Sequence, residues 1–197
     1  MNKRIIGLTG GIATGKTTVA DYLACAYNLP VLDADVYARD AVAPGSQVLA
    51  AIQGRYGEEI IQPDGRLNRQ RLGGIIFADE EERRWLEGLI HPYVSSRLIQ
   101  GIQETTAPTM VLVIPLLFEA QMTDLVTEIW VVRCSCLQQR QRLMERNHLS
   151  VEAAEARMSS QWSLETKAAR ADVVLDNSDS QAVLFLQVDA AMSLPKQ

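Results

Sequence analysis

Only three cysteines occur in 197 residues, Cys25, Cys134 and Cys136, and just two histidines accompany them. An odd number without scaffold spacing excludes a disulfide framework, and so few Cys and His exclude a zinc site built from them; reduced thiols are expected. No chemistry is assigned to the Cys134-Ser135-Cys136 pair. Positive charge is also scarce, with 19 Lys and Arg against 24 Asp and Glu, a net charge of -5. A protein built to lie along nucleic acid carries the opposite sign, so no nucleic-acid partner is expected, and any anionic ligand must be held by local positive groups. Long apolar runs are missing too. None reaches the ~18 residues of a membrane span, and the apolar stretch after Met1-Asn2-Lys3-Arg4 is interrupted at once by Thr9, Gly10 and Gly11, which argues against a signal peptide. With 47% hydrophobic and 22% charged residues, the chain is expected to be globular, cytoplasmic and free of membrane, a monomer or weak homo-oligomer. No internal repeat or low-complexity segment occurs.

What is present is an ordered alternation of strands and helices. Residues 5–9 form a short apolar run ending in glycines, and residues 16–27 carry Val19, Leu23 and Ala26 at helical spacing, so the chain opens strand, glycine loop, helix. A second strand at Val31-Leu32, after Pro30, ends in Asp33-Ala34-Asp35 and completes a βαβ unit that places it next to the first. Runs at 110–114, 129–132 and 173–175 supply three more, giving a five-stranded parallel sheet buried on both faces. Between the second and third strands lies a helical insertion. It contains a stripe of Val48, Leu49, Ile52 and Tyr56, a turn at Pro63-Asp64-Gly65, a helix capped by Asn68, and a helix through Trp85, Leu86, Leu89 and Ile90 ending at Pro92. Two helical stretches at 137–147 and 151–167 are dense in Gln and Arg and poor in large apolar residues. They read as a loosely packed lid over the sheet's carboxyl edge or as a solvated surface hairpin. A closing helix is expected over 178–192.

Between the first strand and its helix, Gly10-Gly11-Ile12-Ala13-Thr14-Gly15-Lys16-Thr17 fits G-x-x-x-x-G-K-[ST]. A polyphosphate needs many converging donors, which the successive N–H groups of such a loop and the positive end of the following helix supply. Gly11, Ile12, Ala13, Thr14 and Gly15 are therefore read as a cradle for ATP. Lys16 reaches the β and γ phosphates as a point charge that follows transfer, the Thr17 hydroxyl is a ligand of Mg2+, and Thr18 supports the α-phosphate side. The fold expected is α/β, a P-loop nucleoside triphosphate hydrolase-like three-layer architecture in one domain, 1–197. Its core covers about 1–35, 108–136 and 170–197, the acceptor-binding insertion about 36–107 and the lid about 137–169.

Asp33, facing this loop across the crevice, can accept the proton of an attacking hydroxyl, orient that hydroxyl, or hold magnesium through water; the first two are favoured. Asp35 is read as the N-cap of a helix over 36–42 in preference to a direct ligand, and Arg39, one turn on, faces substrate or solvent. No apolar run ends in a Walker-B aspartate. Pro115 instead breaks the third strand and lays Leu116 to Glu119 across the binding edge, where Glu119 orients a water, bonds the substrate or caps the backbone. Arg142 and Arg146, at i and i+4, share one face of the lid and close over the γ-phosphate, while Arg140 lies on another face. A kinase for another small molecule or nucleotide would keep loop and lid; a non-catalytic nucleotide switch is the remaining alternative, although no Asn-Lys-x-Asp element for guanine occurs.

Beyond the loop an ordered set of residues runs through the chain. It comprises Leu8-Thr9-Gly10-Gly11-Ile12, Asp33-Ala34-Asp35 with Arg39, Leu67-Asn68-Arg69 with Leu72 and Phe77, Leu86-Glu87, and Ile90-His91-Pro92. It continues with Pro115-Leu116-Leu117-Phe118-Glu119, Gln139, Arg142, Arg146, Gln161, Lys167, Ala171-Asp172 and Asn177. Together these resemble the dephospho-coenzyme A kinase family over nearly the whole length. The resemblance implies transfer of the ATP γ-phosphate to the ribose 3′-hydroxyl of dephospho-coenzyme A, the final step of coenzyme A synthesis, with Asp33 meeting that hydroxyl. It also implies that Arg69, His91 and residues 116–119 line the acceptor side and that Asn177 lies near the adenine. Two positions depart from the family's habit, Ala13 for glycine and Asn68 for aspartate. A Cβ at Ala13 narrows the dihedrals open to the loop but leaves its N–H groups, so ATP binding is expected to survive.

Overall fold

A computed structural model describes residues 3–193, which divide into two compact units, Ala34–Glu104 and the remainder of the chain on either side of it. The flanking unit holds a five-stranded parallel sheet of β1 (Arg4–Gly10), β2 (Val31–Asp33), β3 (Thr109–Val113), β4 (Glu128–Arg133) and β5 (Val173–Asp176). The central strands β3, β1 and β4 are mostly buried, which is why they show little polar alternation, while the edge strands β2 and β5 are only partly buried. Ile6, Leu8, Val111, Val113, Trp130 and Val132 pack against Val19 and Leu23 of α1 (Lys16–Tyr27) and against Leu184 and Val188 of α9 (Gln181–Ser193). Helix α1 stops where Asn28 turns left-handed at φ 52° and returns its N–H to the Leu23 carbonyl, a C-terminal cap.

The strand order is β2-β3-β1-β4-β5. β2 is therefore not beside β1, as the βαβ reading placed it; β3 lies between them, and Asp33 is in register with Val113. Sequential strands are often but not always neighbours in a sheet, and apolar periodicity records burial but not neighbours. The carboxyl ends of β1, β3 and β2 still lie along one edge of the sheet, the edge where open α/β sheets bind ligands.

After β4 come α6 (Cys136–Asn147), α7 (Val151–Ser159) and α8 (Leu164–Ala168). Residues 151–167 are thus two helices rather than one stretch. Ser163 starts α8 by accepting the Thr166 N–H, and the break frees Gln161 from helical geometry. Nor is this region loosely packed throughout, since Gln139, Leu143, Ala154 and Lys167 are buried. Each of the three helices opens on a serine whose hydroxyl accepts a backbone N–H, and Ser135 with Gln138 forms a reciprocal capping box.

The unit Ala34–Glu104 is helical: α2 (Ala34–Ala41), α3 (Gln47–Tyr56), α4 (Arg69–Ala78) and α5 (Glu80–Glu104). Val42, Leu49, Ile52, Ile60, Leu67, Leu72 and Leu86 give it a core of its own. Asn68 caps α4, accepting the Arg71 N–H at 3.0 Å. Two expectations fail here. Helix α2 begins at Ala34, so Asp35 sits inside the first turn rather than at the cap, where its charge still meets the positive end of the helix. Helix α5 runs through Pro92 instead of ending there. Pro92 and Gly88, whose carbonyl loses its i+4 donor, are both exposed, so water can take the missing bond, while Leu86, Val94 and Leu98 anchor the helix on both sides.

Candidate active site

The loop between β1 and α1 takes its shape from three residues with positive φ: Gly10 at 147°, Ala13 at 59° and Gly15 at 102°. At two of them a side chain is also excluded by contact. A Cβ on Gly10 would come within 2.2 Å of the Val132 carbonyl oxygen, and one on Gly15 within 2.2 Å of Asn177 Nδ2. Ala13 holds a left-handed conformation that costs an L-residue roughly 1–2 kcal/mol. The N–H groups of Ala13, Gly15 and Thr17 meet no protein acceptor among the described residues, although nearly all backbone donors in folded proteins are paired. They converge at the N-terminus of α1, where the helix dipole adds positive potential. An array of this kind is matched to phosphate oxygens.

Lys16 Nζ donates to the carbonyls of Gly10 (3.2 Å) and Gly11 (2.7 Å), which holds the ammonium over the loop. The Thr14 hydroxyl, fully buried, donates to the Gly11 carbonyl at 3.0 Å. Thr17 is exposed at the start of α1 and Thr18 half-buried. Among the described residues no group of three or more His, Cys, Asp or Glu could hold a metal ion. Thr17, phosphate and water would offer a magnesium ion at this site oxygen ligands of the kind that suit a hard octahedral cation.

Side chains far along the sequence fix the loop from outside. Gln161 Oε1 accepts the Ile12 N–H at 3.0 Å, while Gln139 Nε2 donates to the Ile12 carbonyl at 2.8 Å. Asn177 Nδ2 donates to the Thr14 carbonyl at 2.8 Å, and Arg142 donates to the Asn177 carbonyl at 3.1 Å. Three of these four residues carried the family resemblance without a role, or with a different one; only their long-range bonds show that they shape the loop. Arg142 is half-buried beside the loop, but Arg146 is exposed, and among the described residues its side chain bonds only its neighbour Asn147. Arg140 faces elsewhere, paired with Glu155 at 2.7 Å. Burial pushes the Cys134 thiol up, with the nearby Arg142 pulling the other way. The Ser178 hydrogen bond holds the Asp176 carboxyl below its ordinary value.

At the neighbouring strand end, residues 115–121 turn back in helical fashion, with the Ala120 N–H on the Leu116 carbonyl. The Pro115 carbonyl accepts both the Thr9 hydroxyl (3.1 Å) and Lys167 Nζ (3.0 Å). Lys167 is wholly buried and also pairs with Glu119 at 2.9 Å; Glu119 in turn accepts the Trp162 N–H. Phe118 stacks on Trp162 with the rings 3° from parallel. Lys167, through Glu119 and the Pro115 carbonyl that Thr9 also bonds, therefore ties α8 and the segment before it to the ends of β1 and β3. The second oxygen of Glu119, Oε2, is buried without a partner among the described residues. Arg39, Arg69 and His91 belong to the helical unit, the first two exposed and His91 half-buried.

A glycine loop after the central strand of a parallel sheet in the order β2-β3-β1-β4-β5 places the chain in the class of P-loop kinases. Known proteins narrow that class. A model of the family described as dephospho-CoA kinase matches residues 4–182, and the chain belongs to that family. A dephospho-CoA kinase of Trichormus variabilis is 66% identical over 193 residues, covering 98% of both chains. Among solved structures, dephospho-CoA kinase from Campylobacter jejuni is similar with a TM-score of 0.70 at 26% identity, over 96% of each chain. The Thermus thermophilus protein TT1252 is similar with a TM-score of 0.82 at 33% identity, over 99% of this chain and 100% of that one.

Proposed function

We propose that the chain transfers the γ-phosphoryl group of ATP to the ribose 3′-hydroxyl of dephospho-coenzyme A, giving coenzyme A and ADP, the last step of coenzyme A synthesis. The observation that carries this reading is the set of unpaired amides of Ala13, Gly15 and Thr17 at the N-terminus of α1, in a chain whose family match spans residues 4–182. Gly11 to Thr18 cradle the triphosphate, and Lys16 moves with the γ-phosphoryl as negative charge shifts onto the β–γ bridging oxygen. Arg142 and Arg146 add charge over the transferring group, and the Asn177 side chain, by holding the Thr14 carbonyl, sets the loop's width beside the nucleotide. Magnesium, held by Thr17 and phosphate oxygens, would supply further neutralisation.

Asp33 accepts the hydrogen bond of the 3′-hydroxyl and takes its proton as the O–P bond forms and the bond to ADP breaks. Arg39, Arg69, His91 and the Leu116 to Glu119 segment line the acceptor side. The enzyme acts in the cytoplasm as a monomer or weak homo-oligomer. No helix among the described residues is long and apolar enough to cross a membrane.

ATP turnover with dephospho-coenzyme A, adenosine, shikimate and nucleoside monophosphates tests the reading. Selective turnover of the first is expected. Asp33→Asn is expected to lose about 100-fold or more in kcat, the scale of general-base catalysis, with ATP affinity nearly unchanged. Preference for another acceptor, or a mutant with native kcat, would overturn the assignment.

A further inference from the structure

The unit Ala34–Glu104 carries eleven acidic residues against eight arginines, yet Arg39, Arg66 and Arg69 line a single concavity of about 410 Å³. Elsewhere in the unit most guanidinium groups are matched to carboxylates, Arg55 to Glu82 at 2.7 Å, Arg84 to Glu80 at 2.8 Å, and Arg71 to Glu59, while Arg97 bonds Gln100 and lies over the Tyr37 ring. Around the concavity compensation is thin. Arg66 approaches Asp64 only to 3.7 Å, with both side chains mostly in solvent, a pair worth ~0–1 kcal/mol. The side chains of Arg39 and Arg69 have no ion-pair or hydrogen-bond partner among the described residues.

Arg66 is also held in place by its backbone. Its carbonyl accepts the Gln62 N–H at 2.7 Å, its N–H donates to Asp64 at 3.1 Å, and Ile61 bridges to Leu67 in antiparallel fashion. The result is a small fixed hairpin rather than a free loop. Val42 and Leu67, both buried, give the same concavity an apolar wall. Three like charges gathered with only the solvent-exposed Asp64 as counter-charge repel one another, and that repulsion is relieved when a multivalent anion enters. Guanidinium forks grip phosphate oxygens in pairs, and an apolar wall beside them suits an anion that carries an organic tail.

We propose that this concavity takes the diphosphate of the acceptor, with Arg66 as a binding residue beside Arg39 and Arg69, an assignment that rests on the acceptor reading above. Dephospho-coenzyme A carries this chemistry, a diphosphate linking adenosine to a long pantetheine arm. The triphosphate of ATP has its own donors in the β1–α1 loop.

The test is calorimetric titration of the full chain, and of Arg66→Ala and Arg66→Lys, with dephospho-coenzyme A and separately with ATP. Arg66→Ala is expected to weaken dephospho-coenzyme A binding about tenfold, equivalent to ~1.4 kcal/mol, with ATP affinity within about twofold of the native value. Arg66→Lys, which keeps the charge but not the fork, should recover part of the loss. The dependence of acceptor affinity on salt should also be shallower in the alanine variant. Unchanged dephospho-coenzyme A affinity in Arg66→Ala, or an equal loss for ATP, would overturn the assignment of Arg66. Failure of the native chain to bind or phosphorylate dephospho-coenzyme A would instead bring down the acceptor reading itself.

Discussion

Ala13 concentrates the tension between loop geometry and residue chemistry. Its φ of 59° is a conformation that glycine adopts freely and alanine only at a cost, so Ala13→Gly relieves strain in the folded state while adding freedom to the unfolded one. The net expectation is a gain of about 0.5–1 kcal/mol in urea unfolding, with ATP affinity close to native because the amide donors stay where they are. A destabilised Ala13→Gly would show that the backbone at this position is not strained. The fixed spacing of Gly10, Gly15, Lys16 and Thr17 made the loop legible in the sequence, because each position answers to a local backbone demand. The bonds from Gln161 and Gln139 to Ile12 span 149 and 127 residues. Contacts at that range leave no periodic mark, so their role emerged only from the fold. The sequence leaves three uses open for the Glu119 carboxylate, orienting water, bonding substrate or capping, and its bonds to Lys167 and Trp162 favour a structural one.

The individual strands and helices were legible because burial imposes a period on the sequence; their arrangement was not. All five strands are short apolar runs in a parallel sheet, and nothing in such a run distinguishes the strand beside it from the one beyond, which is how β2 came to be expected next to β1. Pro92 misled for a different reason: its local signal says stop, but burial of Leu86, Val94 and Leu98 along one stripe carries α5 past it. Tertiary packing prevailed over propensity there. The short helix α8 depends on one buried group, Lys167, whose ammonium bonds the Pro115 carbonyl and Glu119. Lys167→Met keeps the stem's volume but leaves Glu119 facing a cavity without its cation. A loss of about 3 kcal/mol is expected in urea unfolding, the low end for a broken buried pair because Glu119 retains some exposure. A loss below ~1 kcal/mol would mean that the pair is effectively solvated.

On the scale of the whole chain, an acidic protein handles polyanionic ligands by confining positive potential to a few places. The β1–α1 loop does so largely with backbone amides and one lysine, and the helical unit does so with Arg39, Arg66 and Arg69 around one concavity. Neither arrangement is visible in the net charge of -5, which speaks only to the average surface. The loop's signature was local and therefore readable. The arginine cluster joins residues from α2, from the hairpin before α4 and from the first position of α4, and only folding brings them together.

Tracing a label from the γ-phosphate of ATP tests the central claim most directly. With magnesium and dephospho-coenzyme A present, the label is expected on the 3′-oxygen of the ribose in coenzyme A, one ADP appearing for each label transferred and none without the acceptor. Label released as inorganic phosphate at the same rate with and without dephospho-coenzyme A would contradict the account.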